Sequence, residues 1–203
     1  KDENGPQGLT ASLLGSGATQ LTATAFTSED VMAATFNTDL MTAVGTIIGN
    51  NCLSANIACL YGPGNNIHRT PYGGRNFEYY SEDGILTGLI DARETVGIQS
   101  KGVYVYNKHF VLNDQENNRA GIGTWCNEQA LREIYLRAFE LPIIQANAQC
   151  VMTAFNRLGA IWAGAYTELL TDWLRGEAGM SGFAVTDMYD YSYICLLYTS
   201  DAA

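Results

Sequence analysis

Short apolar runs alternate along the chain with longer stretches in which apolar residues recur every three or four positions. The short runs contain β-branched and aromatic residues and are bounded by turn or polar residues, which is typical of β-strands. They span residues 56–60, 102–106, 150–155 and 182–186. The loop signal Tyr61-Gly62-Pro63-Gly64 follows the first of them, so this strand is predicted to end at residue 60.

Four segments with helical spacing lie beside these strands, at residues 39–50, 81–98, 127–146 and 167–175. Ser81 begins the second segment and is predicted to cap it, with Glu82 and Asp83 near the helix N-terminus. Strands that alternate with helices over short connections predict an α/β fold with a parallel sheet. The alternation alone fits both a barrel and a doubly wound sheet.

Polar side chains follow the predicted strands. Asn65, the pair Lys108 and His109, Asn156 and Asp187 each come after an apolar run. In parallel α/β folds, and in barrels especially, the carboxyl ends of the strands carry the functional site. The sequence therefore places its candidate chemistry at one end of the predicted sheet.

Composition narrows the class of protein. The chain has 203 residues, of which 47% are apolar and 16% charged, which excludes a disordered chain and predicts one domain. Lys and Arg number 11 against 21 Asp and Glu, which gives a net charge of −10. We therefore expect neither nucleic acid nor an anionic membrane as a partner, and a neutral ligand fits better. No run approaches the roughly 18 apolar residues of a membrane-spanning helix.

Neither a metal site nor a cofactor is predicted. The cysteines follow no zinc-type spacing and are expected to be buried free thiols that pack as small apolar residues. They are Cys52, Cys59, Cys126, Cys150 and Cys195. His68 and His109 show no HExxH-type spacing, and no glycine-rich phosphate motif follows a strand. Free thiols slightly favour a cytoplasmic location, but Lys1 as the first residue leaves a removed secretion signal open.

Three basic side chains are candidates for substrate binding. Arg75 presents a fork of hydrogen-bond donors among small and aromatic neighbours, or forms an ordinary loop ion pair with Glu78 or Glu82. Lys108 and His109 directly follow a buried-type strand. They supply donors to substrate hydroxyls if they face a pocket, or they are a surface lysine and a core histidine.

Asp187 ends the apolar run at residues 182–186. A carboxylate at the end of a barrel strand points into the site and can attack a sugar carbon as a nucleophile. The alternative is an N-cap for a following helix. The residues alone leave these two roles open.

Seven motifs in order along the chain resemble the N-terminal barrel domain of glycoside hydrolase family 3, the family of many β-glucosidases. The resemblance covers nearly the whole chain to about residue 194, and its long central motif is highly specific. The motifs are NGPQGL at 4–9, YGPGNNI at 61–67, GRNFEYYSED at 74–83, GIQS at 97–100, KHF at 108–110, LREIYL at 131–136 and GFAVTD at 182–187.

The resemblance implies a (β/α)8 barrel and a role for each matching residue. Asp187 matches the nucleophile of a retaining β-glycosidase, which forms a covalent glycosyl-enzyme that water then resolves. Arg75, Lys108 and His109 match the groups that bind the hydroxyls of the non-reducing sugar. The expected substrate is a β-glucoside or an oligosaccharide, and the two cations would favour the ionised form of the nucleophile.

Three further positions match substrate contacts but depart from the family pattern. Asn4 stands where the family often has the Asp of an Asp-Gly-Pro motif, so this sugar contact is expected to be uncharged. Phe155 stands where many members have Tyr, and keeps the ring without the hydroxyl. Met188 stands where many have Trp after the nucleophile, and offers a softer apolar wall.

The resemblance also orders the alternatives for function. Val111 follows the KHF motif where the β-N-acetylglucosaminidase branch has a Pro-Gly-His-Gly loop, so that activity is less favoured than a β-glucosidase. A β-xylosidase, as a close relative, is also ranked below a β-glucosidase. A retaining mechanism needs a second carboxyl group as acid/base, which in the glucosidase branch comes from a C-terminal domain of the same chain. A sugar-binding fragment or relative that lacks this group and does not turn over is the second hypothesis.

The domain is expected to be incomplete at both ends, because a full barrel takes about 250 residues. Residues 1–194 are assigned to the partial barrel. Residues 195–203 do not resemble the family and are predicted to be a tail that is not native.

Overall fold

The computed structural model describes residues 2–10 and 22–187. Its main sheet consists of β1 (Asp2–Asn4), β2 (Cys59–Gly64), β3 (Tyr104–Phe110), β5 (Cys150–Thr153) and β8 (Ala184–Thr186). These strands are all parallel and lie in the order β1-β2-β3-β5-β8. The sheet curls into half of a barrel, which confirms the predicted α/β class and the incomplete (β/α)8 barrel.

A second, smaller sheet was not predicted. It consists of β4 (Gly123–Thr124), β6 (Arg157–Leu158) and β7 (Ile161–Trp162). β4 pairs with β6 in parallel, and β6 pairs with β7 as an antiparallel hairpin. Each strand has only two residues, which is too short for an alternating pattern to show in the sequence.

Except for a short helix at residues 29–33, which was not predicted, the helices lie at the predicted segments. They are α1 (Glu29–Ala33), α2 (Thr38–Ser54), α3 (Gly84–Gln99), α4 (Glu128–Ala130), a π segment (Leu131–Leu136), α5 (Arg137–Ala146) and a π helix (Glu168–Glu177). The predicted cap of α3 was wrong. Asp83 caps this helix, accepting hydrogen bonds from the backbone N–H groups of Ile85 at 2.7 Å and Leu86 at 2.8 Å. Ser81 instead accepts from the N–H of Asp83.

The boundaries of β2 and β3 differ from the prediction. The segment Tyr61-Gly62-Pro63-Gly64, predicted as a loop, forms most of β2, while Asn56 has a left-handed backbone before it. Tyr61 and Gly62 both pair with Tyr106, so a bulge takes up the extra residue. Glycine and proline usually indicate a turn, so this segment was predicted as a loop. Its pairing with the adjacent strands, which the local sequence does not show, places it inside the sheet.

The two faces of the main sheet carry alternate residues. Leu60, Val105 and Val151 belong to the large core beneath the helices. The opposite face holds a smaller cluster of buried and partly buried side chains: Cys59, Tyr61, Tyr106, Cys150, Met152 and Val185. Because successive strand residues point to opposite faces, this alternation directs the second set to the inside of the curl.

Helix α3 packs between α2 and α5 over the large core. Gly45 permits the close approach of α2, since a Cβ there would lie 2.1 Å from the carbonyl oxygen of Glu94. Within the described residues, no helix is both long enough and apolar enough to cross a membrane. The four described cysteines are free thiols; Cys52 and Cys150 are buried, Cys59 and Cys126 are half-buried, and Cys195 lies outside the described residues.

Candidate active site

A cavity of about 560 Å³ lies at the carboxyl end of the main sheet. Five of the seven predicted site residues line it: Asn4, Arg75, Lys108, His109 and Asp187. Asn4 ends β1, and Asp187 directly follows β8. The parallel order of the strands brings together side chains that are more than 100 residues apart in the sequence.

A groove of about 550 Å³ lies elsewhere, between the π segment and the π helix. Trp125 and Tyr166 are part of its wall, and none of the predicted site residues lines it. The similar volumes show that size alone does not select a site. The convergence of charged and polar groups distinguishes the first cavity.

Lys108 and His109 lie inside β3, so the prediction that they follow the strand was wrong. Lys108 pairs with Met152 and Phe110 pairs with Thr153, which leaves His109 as an extra residue at a bulge. Neighbouring residues of a regular strand point to opposite faces. At this bulge both side chains line the same cavity.

Asn66 binds the backbone of His109 at the bulge. The N–H of His109 donates to Asn66 Oδ1 at 2.8 Å, and Asn66 Nδ2 donates to the carbonyl oxygen of His109 at 3.0 Å. Asn66 itself is buried. One side-chain amide therefore satisfies both polar backbone groups of the bulged residue.

Glu78 connects Arg75 and Lys108, two of the cations that line the cavity. One of its carboxylate oxygens accepts from Arg75 Nε, and the other lies 3.2 Å from Lys108 Nζ. Lys108 Nζ also donates to Asn4 Oδ1 at 2.5 Å. Arg75 thus forms the predicted ion pair with Glu78 and also lines the cavity, and its binding of a substrate stays a prediction.

His109 is held as a neutral imidazole. Arg75 Nη2 donates to its Nε2 at 3.0 Å, so the proton is on Nδ1, which donates to the hydroxyl oxygen of Tyr79 at 3.0 Å. Burial, together with the charges of Arg75, Lys108 and Arg119, holds the pKa of His109 well below its usual value. The ring adds no charge to the site at neutral pH.

Asp187 lies against this imidazole. Its Oδ2 is 3.6 Å from His109 Nε2, and its side chain is 14% exposed. Because the ring is neutral, this is a close contact rather than an ion pair. The N–H of Asp187 donates to the carbonyl oxygen of Thr153 at 3.3 Å, which continues the pairing of β8 with β5. The alternative role as a helix cap depends on residues after 187, which lie outside the described residues.

The other two predicted contacts stand apart from the cavity lining. Phe155 is buried, and the guanidinium carbon of Arg119 lies 4.6 Å from the centre of its ring. Arg119 lines the cavity, so Phe155 supports the wall from behind. Met188 lies outside the described residues.

Arg119, which lines the wall beside Glu116, was not predicted as a site residue. Arg119 Nη1 donates to Glu116 Oε2 at 2.7 Å, and Arg75 Nη1 lies 3.8 Å from Glu116 Oε1. Their spacing of three residues in a polar loop was the only local signal. Among the described residues, no group of three or more His, Cys, Asp or Glu side chains is placed to bind a metal ion.

Comparisons with known proteins identify the family of the chain. Residues 10–201 match the family described as "Glycosyl hydrolase family 3 N terminal domain". A β-glucosidase of Ruminococcus albus is 44% identical over 159 residues, which cover 78% of this chain and 17% of that protein. An exo-α-(1→6)-L-arabinopyranosidase of Bifidobacterium breve is 39% identical over 91% of this chain and 25% of its own length.

The solved structure of β-glucosidase 3B from Thermotoga neapolitana in complex with glucose superposes with a TM-score of 0.89 at 40% identity. The match covers 93% of this chain and 26% of that one. The chain spans about a fifth of the length of the curated relatives it matches. The chain therefore belongs to glycoside hydrolase family 3, as part of that family's N-terminal domain.

Proposed function

We propose that this chain carries the nucleophile and the innermost sugar subsite of a retaining β-glucosidase. The observation that supports this most directly is the placement of Asp187. Its carboxylate lies at the wall of a cavity whose other walls hold Arg75, Lys108 and a neutral His109. Relatives at 44% and 40% identity are named β-glucosidases, which is the support for glucose as the sugar.

In the proposed reaction, a carboxylate oxygen of Asp187 attacks the anomeric carbon while the bond from that carbon to the aglycone oxygen breaks. The leaving oxygen takes a proton from a general acid, and the product is a glycosyl ester of Asp187. A water molecule then attacks the anomeric carbon, loses a proton to the same group and releases the sugar. The two displacements together retain the anomeric configuration.

The cations are proposed to hold the sugar rather than to react. Lys108 and Arg75 each have donors that are not used by Glu78 and can bind hydroxyl oxygens. Hydrogen bonds from charged donors are about twice as strong as neutral ones, and the buried site strengthens them further. His109 lines the cavity, and because its Nε2 accepts from Arg75, its proposed part is to orient that guanidinium toward the sugar.

The general acid/base is proposed to come from a part of the protein beyond this chain, as the family resemblance implies. Activated substrates test the chain without it, because a dinitrophenolate leaves without being protonated. We therefore expect 2,4-dinitrophenyl 2-deoxy-2-fluoro-β-D-glucoside to form a stable adduct on Asp187. Peptide mass spectrometry identifies the labelled residue, and excess glucose should slow the labelling.

Two variants complete this test. Asp187→Asn should abolish labelling, whereas Asp172→Asn, which removes an exposed acid of the π helix, should label as the native chain does. Labelling of another carboxylate, or none on the folded native chain, would count against Asp187 as the nucleophile of a glucosidase. The corresponding arabinopyranoside probe then distinguishes a different sugar from an absent activity, since one relative is named for that sugar.

A further inference from the structure

Glu78 does not line the cavity, yet it contacts Arg75 and Lys108, two of the cations that do. Its side chain is 6% exposed, and that of Lys108 is 2% exposed. We infer that Glu78 is the positioning residue of the site: its two carboxylate oxygens, one on Arg75 and one on Lys108, fix the separation of the two cations before a sugar enters. This deepens the proposed function and assigns Glu78 no contact with the substrate.

The turn that carries Glu78 is fixed from several sides. It forms a short 3-10 helix, Asn76–Glu78, that packs directly on β2. A Cβ at Gly64 would lie 2.0 Å from the carbonyl oxygen of Glu78, so only glycine permits this contact. Gln7 Nε2 donates to the carbonyl oxygen of Phe77 at 2.8 Å and ties the same turn to the segment after β1.

The contacts made by Glu78 leave the cations able to bind a ligand. Lys108 has three donors; two are directed to Glu78 and Asn4, which leaves one. Arg75 uses Nε for Glu78 and Nη2 for His109, so part of its fork remains for a hydroxyl group. Long cationic side chains lose considerable rotamer freedom on binding, and a shared carboxylate removes much of that loss beforehand.

Replacing Glu78 by glutamine would distinguish a positioning role from a packing role. Glutamine has nearly the same shape, but its amide NH₂ is a donor and would face a cation that also only donates. Glu78→Gln should therefore weaken glucose binding by about 10- to 100-fold, measured by calorimetry. Glu82→Gln is the matched control, because Glu82 is exposed on the same segment and does not line the cavity.

A second readout needs no sugar. Burial lowers the pKa of Lys108, and the Glu78 carboxylate opposes that effect. Arg75 lowers the pKa of Lys108 further, and Glu29 acts with Glu78 to raise it. Removing the charge of Glu78 should therefore leave more free amine at a given pH. We expect acylation of Lys108 by an amine-reactive ester to become about tenfold faster at pH 8 in Glu78→Gln, with Lys101 of the same chain as the internal reference.

The two readouts distinguish the possible failures. If native chain binds no glucose and forms no adduct, the proposed function fails, and the Lys108 acylation rate still tests Glu78. A folded Glu78→Gln variant with native acylation of Lys108 would overturn the inference. Should that variant not fold, Glu78→Asp keeps the buried charge but reaches only one cation. It should give an intermediate acylation rate, and a native rate would again overturn the inference.

Discussion

Two buried polar clusters lie on either side of the bulged strand β3, and they differ in which groups balance their carboxylates. The cavity cluster consists of Asn4, Arg75, Glu78, Lys108 and His109. In it, the one carboxylate is paired with two cations. The helix-side cluster lies beneath α3, and its acids are Asp91, Glu94 and Glu29.

The acids of the helix-side cluster are held by neutral donors. Asp91 accepts hydrogen bonds from Asn65 at 2.5 Å, Asn107 at 2.7 Å and Thr95 at 2.8 Å. These partners tie α3 to β3 and to the segment after β2. Burial outweighs the bonds and raises the pKa of Asp91 to about 7.

Glu94 and Glu29 show the same behaviour. Glu94 accepts from the hydroxyl group of Tyr80 at 2.7 Å, and burial raises its pKa to about 8. Glu29 accepts from the N–H of Gly64, and burial and neighbouring acids raise its pKa well above the usual value. The helix-side cluster thus connects elements through acids that readily hold a proton, while the cavity cluster balances a carboxylate against two cations.

The largest expected effect is on the helix-side cluster. Asp91→Ala leaves three buried donors without their acceptor and should lower the free energy of unfolding by about 3–5 kcal/mol. Urea unfolding followed by circular dichroism measures this. The exposed Asp172→Ala should change it by less than about 0.5 kcal/mol. A loss below about 1 kcal/mol for Asp91→Ala would show that this cluster does not tie the elements together.

The second effect concerns pH. The unfolded chain releases the proton of Glu94 near its usual pKa, while the folded chain holds it to about pH 8. The folded state therefore binds more protons between these values, and the free energy of unfolding falls as pH rises, by about 1.4 kcal/mol per pH unit for this group.

Glu94→Gln should remove that part of the slope between about pH 5 and 8, and Glu82→Gln should leave it unchanged. Unfolding curves at several pH values measure it. An equal slope in native chain and Glu94→Gln would mean that Glu94 is ionised in the folded chain.

The smallest expected effect is in the cavity cluster. Asn4→Asp gives Lys108 and a sugar hydroxyl a charged acceptor in place of a neutral one. We expect glucose to bind about 3- to 10-fold more tightly, since hydrogen bonds to charged groups are worth about 1 kcal/mol more than neutral ones. Calorimetry measures this, with the exposed Asn50→Asp on α2 as the control for added charge. Weaker or unchanged binding would indicate that Asn4 serves Lys108 and not the ligand.

Periodicity was enough to locate the long helices and most of the main sheet, because their apolar faces repeat over several turns or residues. It missed β1, whose three residues Asp2–Asn4 are all polar. Edge strands of this kind are defined by their neighbour, here through pairing with β2. Local signals also misplaced the end of β2, since a bulge and its partner strand cannot be read from one segment.

The candidate site was likewise predictable only in part. The position of Lys108, His109 and Asp187 after apolar runs indicated a site, but the family resemblance was needed to choose among their roles. Arg119 was not predicted, because its place in the cavity wall depends on how the loop after β3 folds. The double contact of Glu78 could not be predicted either, since Lys108 is 30 positions further along the chain.

The side chain of Asn66 has a consequence for how this site tolerates change. By offering one acceptor and one donor to His109, it takes the place of the ladder partner that this bulged residue lacks. The irregularity that turns Lys108 and His109 into the same cavity therefore leaves no polar backbone group of His109 unsatisfied. The end of a barrel that carries the candidate site can in this way depart from regular geometry through a single amide, which neither lines the cavity nor belongs to the sheet.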